Sequence, residues 1–272
     1  MQVIDNTLIL RTRNPQKIQS KIPDSDVVRV DEDIYTMAVG WDLSTAQQLA
    51  RLQMKNIPSP IMRDYEWSGL HAPMTHQKTT AEFLTLNPRA FCFNEQGTGK
   101  TGAAIWASDY LLSEGYRQRV LIICPLSIMK SAWQADLFKF APHRTVGVAH
   151  GAKEKRKEII ANDYEYIIIN YDGVNVVKDA IAKGGFDLVI IDEANAYKNC
   201  TTNRWKLINK LVTLDTWMWM LTGTPAAQSP LDAHGLAKLC VPNNVTPSKM
   251  RFKDAVMYPV SKFKWMAKPN AQ

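Results

Sequence analysis

The stretch Glu95-Gln96-Gly97-Thr98-Gly99-Lys100-Thr101 combines two glycines, a lysine and a hydroxyl at the spacing of a loop that wraps a phosphate group. Gly97 and Gly99 let the backbone turn so that successive N–H groups point inward. A helix opening here, with Gly102 in its first turn, adds partial positive charge. Lys100 supplies a point charge for the β- and γ-phosphates of a nucleotide, and the Thr101 hydroxyl is placed for a magnesium ion. Asn94 stands where the full GxxxxGK[ST] pattern has its first glycine. The flanks are those the motif requires, an apolar strand before and an alanine-rich helix after. The stretch therefore predicts a nucleotide-binding set of Glu95, Gln96, Gly97, Thr98, Gly99, Lys100, Thr101 and Gly102.

About 90 residues further on, the apolar run Leu188-Val189-Ile190-Ile191 ends in Asp192-Glu193-Ala194-Asn195. Two acids at the tip of a buried strand are costly unless a cation or a polar partner meets them. Asp192 can hold Mg2+, through water, and Glu193 can polarise the attacking water as general base. Alone, the pair reads as a strand-to-loop junction capped by acids. Beside a phosphate loop it reads as hydrolytic machinery. Lys100, Asp192 and Glu193 are the candidate catalytic residues, and Thr101 and Asp192 the candidate metal ligands.

These residues need a scaffold. From Pro73 onward the chain alternates apolar strand-like runs with helical stretches. The strands are expected at Ala90–Asn94, Val120–Cys124, Thr145–Ala149, Tyr166–Asn170, Leu188–Asp192 and Trp217–Leu221. The helices are expected at Gly99–Ser113, Ile128–Phe140, Glu154–Ala161, Trp205–Leu211 and Leu231–Leu239. Continuous apolar strands alternating with helices predict an α/β fold with a doubly wound, mostly parallel sheet. In such sheets ligands bind at the carboxyl ends of the strands. Trp217 and Trp219 alternate with Met218 and Met220, a pattern better explained by core packing than by base stacking. A cluster of Pro58, Pro60, Gly69 and Pro73 separates this region from a small α+β unit. That unit holds strands at Thr7–Arg11 and Asp33–Gly40 and a helix at Ser44–Asn56 capped by Ser44. The expected division is an accessory domain at 1–68, a lobe at 69–258 and a connector at 259–272.

The net charge of +7, over 272 residues, favours a polyanionic partner. Cys92, Cys124, Cys200 and Cys240 lie far apart with no CxxC pair, which predicts free buried thiols in a reducing compartment. No leader is evident in Met1–Leu10 and no apolar run is long enough to span a bilayer, so a cytoplasmic monomer is expected, in a host cell if the source is viral. The compact core hints at a bacterial or viral source.

Further motifs occur in the same order and spacing as in superfamily 2 helicases, over roughly Pro73 to Met257. Leu221-Thr222-Gly223-Thr224-Pro225 resembles motif III of the Swi/Snf-type branch, after motif I at the phosphate loop and motif II at Asp192–Asn195. His76-Gln77 is similar to the Q-motif. Ile123-Cys124-Pro125-Leu126-Ser127 with Trp133-Gln134 and Phe138-Lys139-Phe140 resembles motif Ia and its helix. Ile169-Asn170-Tyr171-Asp172 sits where motif Ib belongs, and Tyr197-Lys198-Asn199 follows motif II as Leu-Lys-Asn does in that branch. The resemblance implies a RecA-like lobe that binds and hydrolyses ATP with Mg2+ and moves on DNA. It implies that Gln77 reads the adenine. It implies that Thr222, Gly223 and Thr224, with Asn195, couple the γ-phosphate to DNA. It implies that Pro125, Ser127, Asn170 and Tyr171 touch one strand.

Position 195 is Asn where the branch usually has His. Asn cannot titrate, so the coupling step is where a departure is expected. The family uses a second lobe carrying arginine fingers, and no room for one follows Leu239. A piece of a longer protein, slow in hydrolysis by itself, is the expectation. Two other readings stay open: a non-catalytic one-lobe protein that sits on nucleic acid or on another motor, and an RNA motor. Lys249, Arg251, Lys253, Lys262, Lys264 and Lys268, with Phe252, Phe263 and Trp265, read as a connector packed on the lobe more readily than as a single-strand contact.

Overall fold

The computed structural model describes residues 1–224, 229–261 and 264–269. The chain opens with β1 (Gln2–Ile4), β2 (Thr7–Thr12), helix α1 (Pro15–Gln19), β3 (Ser25–Asp31) and β4 (Ile34–Gly40), an antiparallel sheet in the order β1-β2-β4-β3. Two of these strands match the sequence reading. β3 escaped it because most of its residues are exposed, so no apolar alternation marks it. Helix α2 (Leu43–Arg51) is capped by Asp42, whose Oδ1 accepts from Thr45 N at 2.7 Å, and not by Ser44. It stops at Arg51 instead of Asn56 because Gln53 and Asn56 take positive φ of 61° and 57°.

A short helix α3 (Ile61–Asp64) leads toward α4 (Thr75–Leu86), a helix absent from the sequence reading. Its four threonines are poor helix formers. Burial of Ala81 and Leu84 and a bond between Ser59 and Thr85 (2.8 Å) supply what propensity does not.

The remaining chain builds a six-stranded sheet from β5 (Arg89–Cys92), β6 (Val120–Cys124), β7 (Val146–Val148), β8 (Tyr166–Asn170), β9 (Leu188–Asp192) and β10 (Trp217–Leu221). Their spatial order is β5-β10-β9-β6-β8-β7, with every pairing parallel. The expected α/β class with a parallel sheet is what the chain adopts. Around the sheet run α5 (Lys100–Ser113), a π-helical segment Met129–Gln134 that continues into α6 (Ala135–Phe140), α7 (Lys153–Ala161), α8 (Tyr171–Val176), α9 (Lys178–Lys183), α10 (Asn203–Leu211) and α11 (Asp232–Cys240). The expected helix over Ile128–Phe140 is therefore π-helical in its first half.

Both faces of the sheet are covered. Along β6, Val120, Ile122 and Cys124 join one apolar layer while Leu121 and Ile123 join the other. Burying one such branched side chain contributes about 1.5–3 kcal/mol, which explains why the central strands tolerate no polar residue before their last position. The first layer runs without a break into Leu8, Leu10, Met37 and Leu49, so the N-terminal sheet packs its core onto the lobe. Trp219 is fully buried and Trp217 nearly so. Cys92, Cys124 and Cys240 are buried and Cys200 half-buried, and burial pushes the Cys124 and Cys240 thiols up to about 12. Past α11 come helix α12 (Lys249–Val256) and the hairpin β11 (Met257–Ser261) and β12 (Lys264–Ala267), which takes up most of the described part of the stretch expected as a connector. Lys253 lies 3.6 Å over the Trp265 ring, so this one basic–aromatic pair is engaged within the tail. Lys262 and Phe263 lie outside the described residues. No helix among the described residues is long and apolar enough to cross a membrane.

One buried carboxylate ties the N-terminal part to α5. Asp109, 1 % exposed, accepts from the Tyr65 hydroxyl and from Arg144 Nε at 2.5 Å, with a His143 ring nitrogen at 3.0 Å. Asp109→Ala takes the charged acceptor from the Tyr65 phenol and leaves the Arg144 guanidinium with Glu165 as its one remaining carboxylate partner. We expect a loss of about 3 kcal/mol, read as a lower guanidinium midpoint, against less than about 1 kcal/mol for Asp31→Ala, which removes only the exposed partner of Arg29.

Candidate nucleotide-binding site

Register builds the site. Cys92, Leu221 and Asp192 stand side by side at the carboxyl ends of β5, β10 and β9. Neighbouring strands are about 4.8 Å apart, so the segments that follow them meet although they are far apart in the chain. Those segments are the phosphate loop, Thr222–Thr224 and Glu193–Asn195. A cleft of about 420 Å3 lies at this end, lined by Gln96, Gly97, Gly99, Lys100, Thr101 and Gly102 on one side and by Asp192 and Glu193 on the other.

In the phosphate loop, positive φ falls on Gly97 (80°) and Gly99 (75°) and not on Asn94. A first glycine is therefore not needed here, and the Asn94 side chain donates instead to Thr80 Oγ1 at 2.8 Å. At φ 75° a side chain on Gly99 would be strained, and its Cβ would also displace the end of Gln77, 2.1 Å away. The loop closes on itself: Lys100 Nζ and Thr98 Oγ1 both donate to the Glu95 carbonyl, at 3.1 and 2.8 Å. His76 and Gln77 reach the Thr98 carbonyl from α4, at 2.9 and 3.4 Å. Gln77 Oε1 also accepts from Met74 N at 2.9 Å, so this side chain braces both the start of α4 and the loop.

Asp192 is 8 % exposed. Burial pushes its carboxyl above the usual carboxylate range, opposed by a bond from Trp133, the Glu193 N–H and the charge of Lys100. Trp133 Nε1 donates to Oδ2 at 2.8 Å and Glu193 N to Oδ1 at 2.9 Å. Trp133 is fully buried on the π-helical segment, one turn from Met129 and Leu137, and the widened turn brings its indole to the acid. Asp192, Lys100 and Thr101 line one wall-to-wall cleft. A carboxylate and a hydroxyl are hard oxygen donors of the kind Mg2+ accepts beside phosphate oxygens and water. No group of three or more acidic, His or Cys side chains that could cage a metal unaided occurs among the described residues.

Glu193 holds a left-handed backbone, φ 48° and ψ 55°. For a residue with a side chain this costs about 1–3 kcal/mol and must be held by its surroundings. Tyr171 does part of the holding: its hydroxyl donates to the Asp192 carbonyl at 2.6 Å and lies 3.2 Å from that of Glu193. Burial first, then the nearby Asp192, pushes this phenol far above its ordinary value, so it keeps its proton.

The third segment closes the ring. Asn195 Nδ2 donates to the Thr224 carbonyl at 2.7 Å and its hydroxyl at 2.9 Å. Thr222 is fully buried and its N–H donates to Cys92 O at 3.1 Å. A Cβ on Gly223 would lie 3.3 Å from Gln96 Cγ. Pro225 lies outside the described residues. Of the residues expected on DNA, Ser127 is exposed and Pro125 half-buried. The Asn170 amide oxygen is taken by Arg156 Nη1 at 2.9 Å, and the Tyr171 hydroxyl turns inward as above. The Asn170 oxygen and the Tyr171 hydroxyl are thus both engaged within the protein. Sequence reasoning missed Asp136 and Phe140 on the cleft wall. Their i,i+4 spacing on α6 was the available signal. It also missed the Trp133–Asp192 bond, for which the sequence holds no local signal.

Comparison with known proteins agrees with this geometry. The family model described as SNF2-related domain matches residues 74–268. The chain is 26 % identical over 197 residues to the ISWI chromatin-remodeling complex ATPase ISW2 of Saccharomyces cerevisiae, covering 69 % of this chain and 16 % of that protein. It is 30 % identical over 163 residues to an uncharacterized ATP-dependent helicase of Mycoplasma pneumoniae, covering 59 % and 15 %. The Sulfolobus solfataricus SWI2/SNF2 ATPase core in complex with dsDNA superposes with a TM-score of 0.57 at 25 % identity, over 69 % of this chain and 39 % of that one. The chain thus spans well under half the length of each of these relatives.

Trp133→Phe keeps the packed ring and removes only the bond to Asp192. A hydrogen bond to a charged group contributes about 1.5–3 kcal/mol. We expect the divalent-cation concentration for half-maximal nucleotide binding to rise about tenfold, measured with a fluorescent ADP analogue titrated against Mg2+. An unchanged requirement would show that the indole does not position the acid.

Proposed function

The chain belongs to the SNF2-related domain family, and from that premise we propose that it is the ATP-binding lobe of a motor that hydrolyses ATP to move on DNA. The observation that carries this reading is the meeting of the phosphate loop and Asp192-Glu193 around one cleft, with Thr224 tied beside it through its bonds to Asn195. Gly97, Gly99 and the N-terminus of α5 would cradle the phosphates, and Lys100 would leave Glu95 O to neutralise the β- and γ-phosphate charge. Thr101 and Asp192 would hold Mg2+, which, when bound, offsets charge developing on the transferred phosphoryl group. Glu193 would accept the proton of the attacking water. Asn195 and Thr224 would pass the presence of the γ-phosphate to the rest of the lobe. DNA as the track is supported by the dsDNA-bound structure to which this chain is similar and by the net charge of +7. An arginine from a second lobe of the same longer protein would complete the site.

The test is ATP turnover by the full-length protein, alone and with duplex DNA, single strands or RNA. We expect stimulation by DNA, and for Lys100→Ala a fall on the order of 10²–10³. Near-normal turnover by Lys100→Ala rejects the site. Stimulation by RNA alone rejects DNA as the track.

A further inference from the structure

β8 and β9 are not neighbours: β6 lies between them. Tyr171, the first residue after β8, nevertheless reaches across the end of β6 to the carbonyls of Asp192 and Glu193, at 2.6 and 3.2 Å. It therefore spans the edge from which Pro125–Ser127 emerge, since Cys124 and Asn170 pair in register. Its ring is fixed on two further sides. The Tyr197 ring stands edge-on at 5.7 Å, and the Arg204 guanidinium lies 5.0 Å from the ring centroid. Arg204 in turn pairs with Asp172 at 2.7 Å, and both are reachable from solvent, with side chains 34 % and 82 % exposed. One continuous set of contacts thus runs from a charged pair on the surface, through an aromatic ring, to the strained backbone of Glu193.

Resting on the function proposed above, we propose that Tyr171 is a positioning residue that relays occupancy of the Arg204–Asp172 surface by a nucleic-acid backbone to the catalytic pair Asp192-Glu193. A phosphate competes with Asp172 for Arg204. The guanidinium then shifts on the ring, and the hydroxyl carries the shift to the Glu193 carbonyl. Because φ and ψ of Glu193 sit in a narrow well, a small change there re-aims the carboxylate that must take the proton from water. The route differs from the Asn195–Thr224 bonds, which face the phosphate loop. It also gives the inward hydroxyl of Tyr171 a role.

Tyr171→Phe keeps the ring and its edge-on contact and deletes the hydroxyl that both braces Glu193 and carries the relay. In the full-length protein we expect an unchanged KM for ATP, an unchanged Kd for duplex DNA at fixed salt, and a fall in basal turnover that is clearly smaller than the fall in DNA-stimulated turnover. We expect DNA-stimulated kcat to fall about tenfold. Normal stimulated kcat overturns the proposal. So does weaker DNA binding with normal kcat at saturating DNA, which would make Tyr171 a strand contact. So does an equal fall in basal and stimulated turnover, which would leave it a brace without a relay. A second measurement needs no variant: hydrogen exchange at Glu193–Asn195 in the wild-type protein should slow when DNA is added without nucleotide, and unchanged exchange overturns the relay. Wild-type protein that shows no ATP turnover with any nucleic acid, and none lost in Lys100→Ala, rejects the parent reading instead, and the relay with it.

Discussion

Parallel register is the constraint on which everything else rests. Cys92, Leu221 and Asp192 end their strands in one row, so three segments that are distant in sequence become neighbours. A slip of one residue in β10 would exchange its faces. Trp219, buried on the side of β5 and α4, would trade places with Met218 or Met220 on the other. The large difference in side-chain volume between the two layers makes such a slip expensive. The same packing that stabilises the sheet therefore also holds Thr224 within reach of Asn195.

The electrostatics of the site follow from that burial. Taking one carboxylate out of water costs several kcal/mol, and Asp192 recovers this from the indole of Trp133, the Glu193 N–H and the charge of Lys100. The balance still favours a raised value, because burial outweighs the three. Next to it, the left-handed Glu193 is a local conformational cost that only tertiary contacts can hold, and the Tyr171 hydroxyl is one of them. Stability is spent here on direction: the two acids share one peptide bond but line the cleft from differently constrained backbones.

The N-terminal sheet contributes from the other side. Its apolar layer is continuous with that of the lobe, and it seats α4, whose His76 and Gln77 meet the Thr98 carbonyl. The phosphate loop is thus braced from outside the motif that defines it. Asp109, one face of α5 away, fixes the same helix through Tyr65 and Arg144. One anchor thus holds the phosphate loop at Thr98, and another holds the helix that follows it at Asp109.

Much of this was legible in the residues alone. Runs such as Val120–Cys124, Leu188–Asp192 and Trp217–Leu221 announce strands covered on both faces, because only such strands can be apolar at every position. Gly97, Gly99 and Lys100 announce the phosphate loop, because few sequences supply that turn and that charge together. What stayed hidden were features without local pattern: exposed β3, threonine-rich α4, the π-helical turn at Trp133 and the inward hydroxyl of Tyr171. The chain order of the motifs was legible too, but not their order in space. Strand order is decided by which pairings bury the most surface with the shortest right-handed crossovers, a property of the whole sheet. So the residue types and their spacing determined by themselves that a nucleotide could be gripped. Only the tertiary structure decided that Thr224 would meet Asn195, that an indole would hold Asp192, and that Tyr171 would reach over β6 to the acid pair, because each of those contacts joins strands that no local stretch of sequence connects.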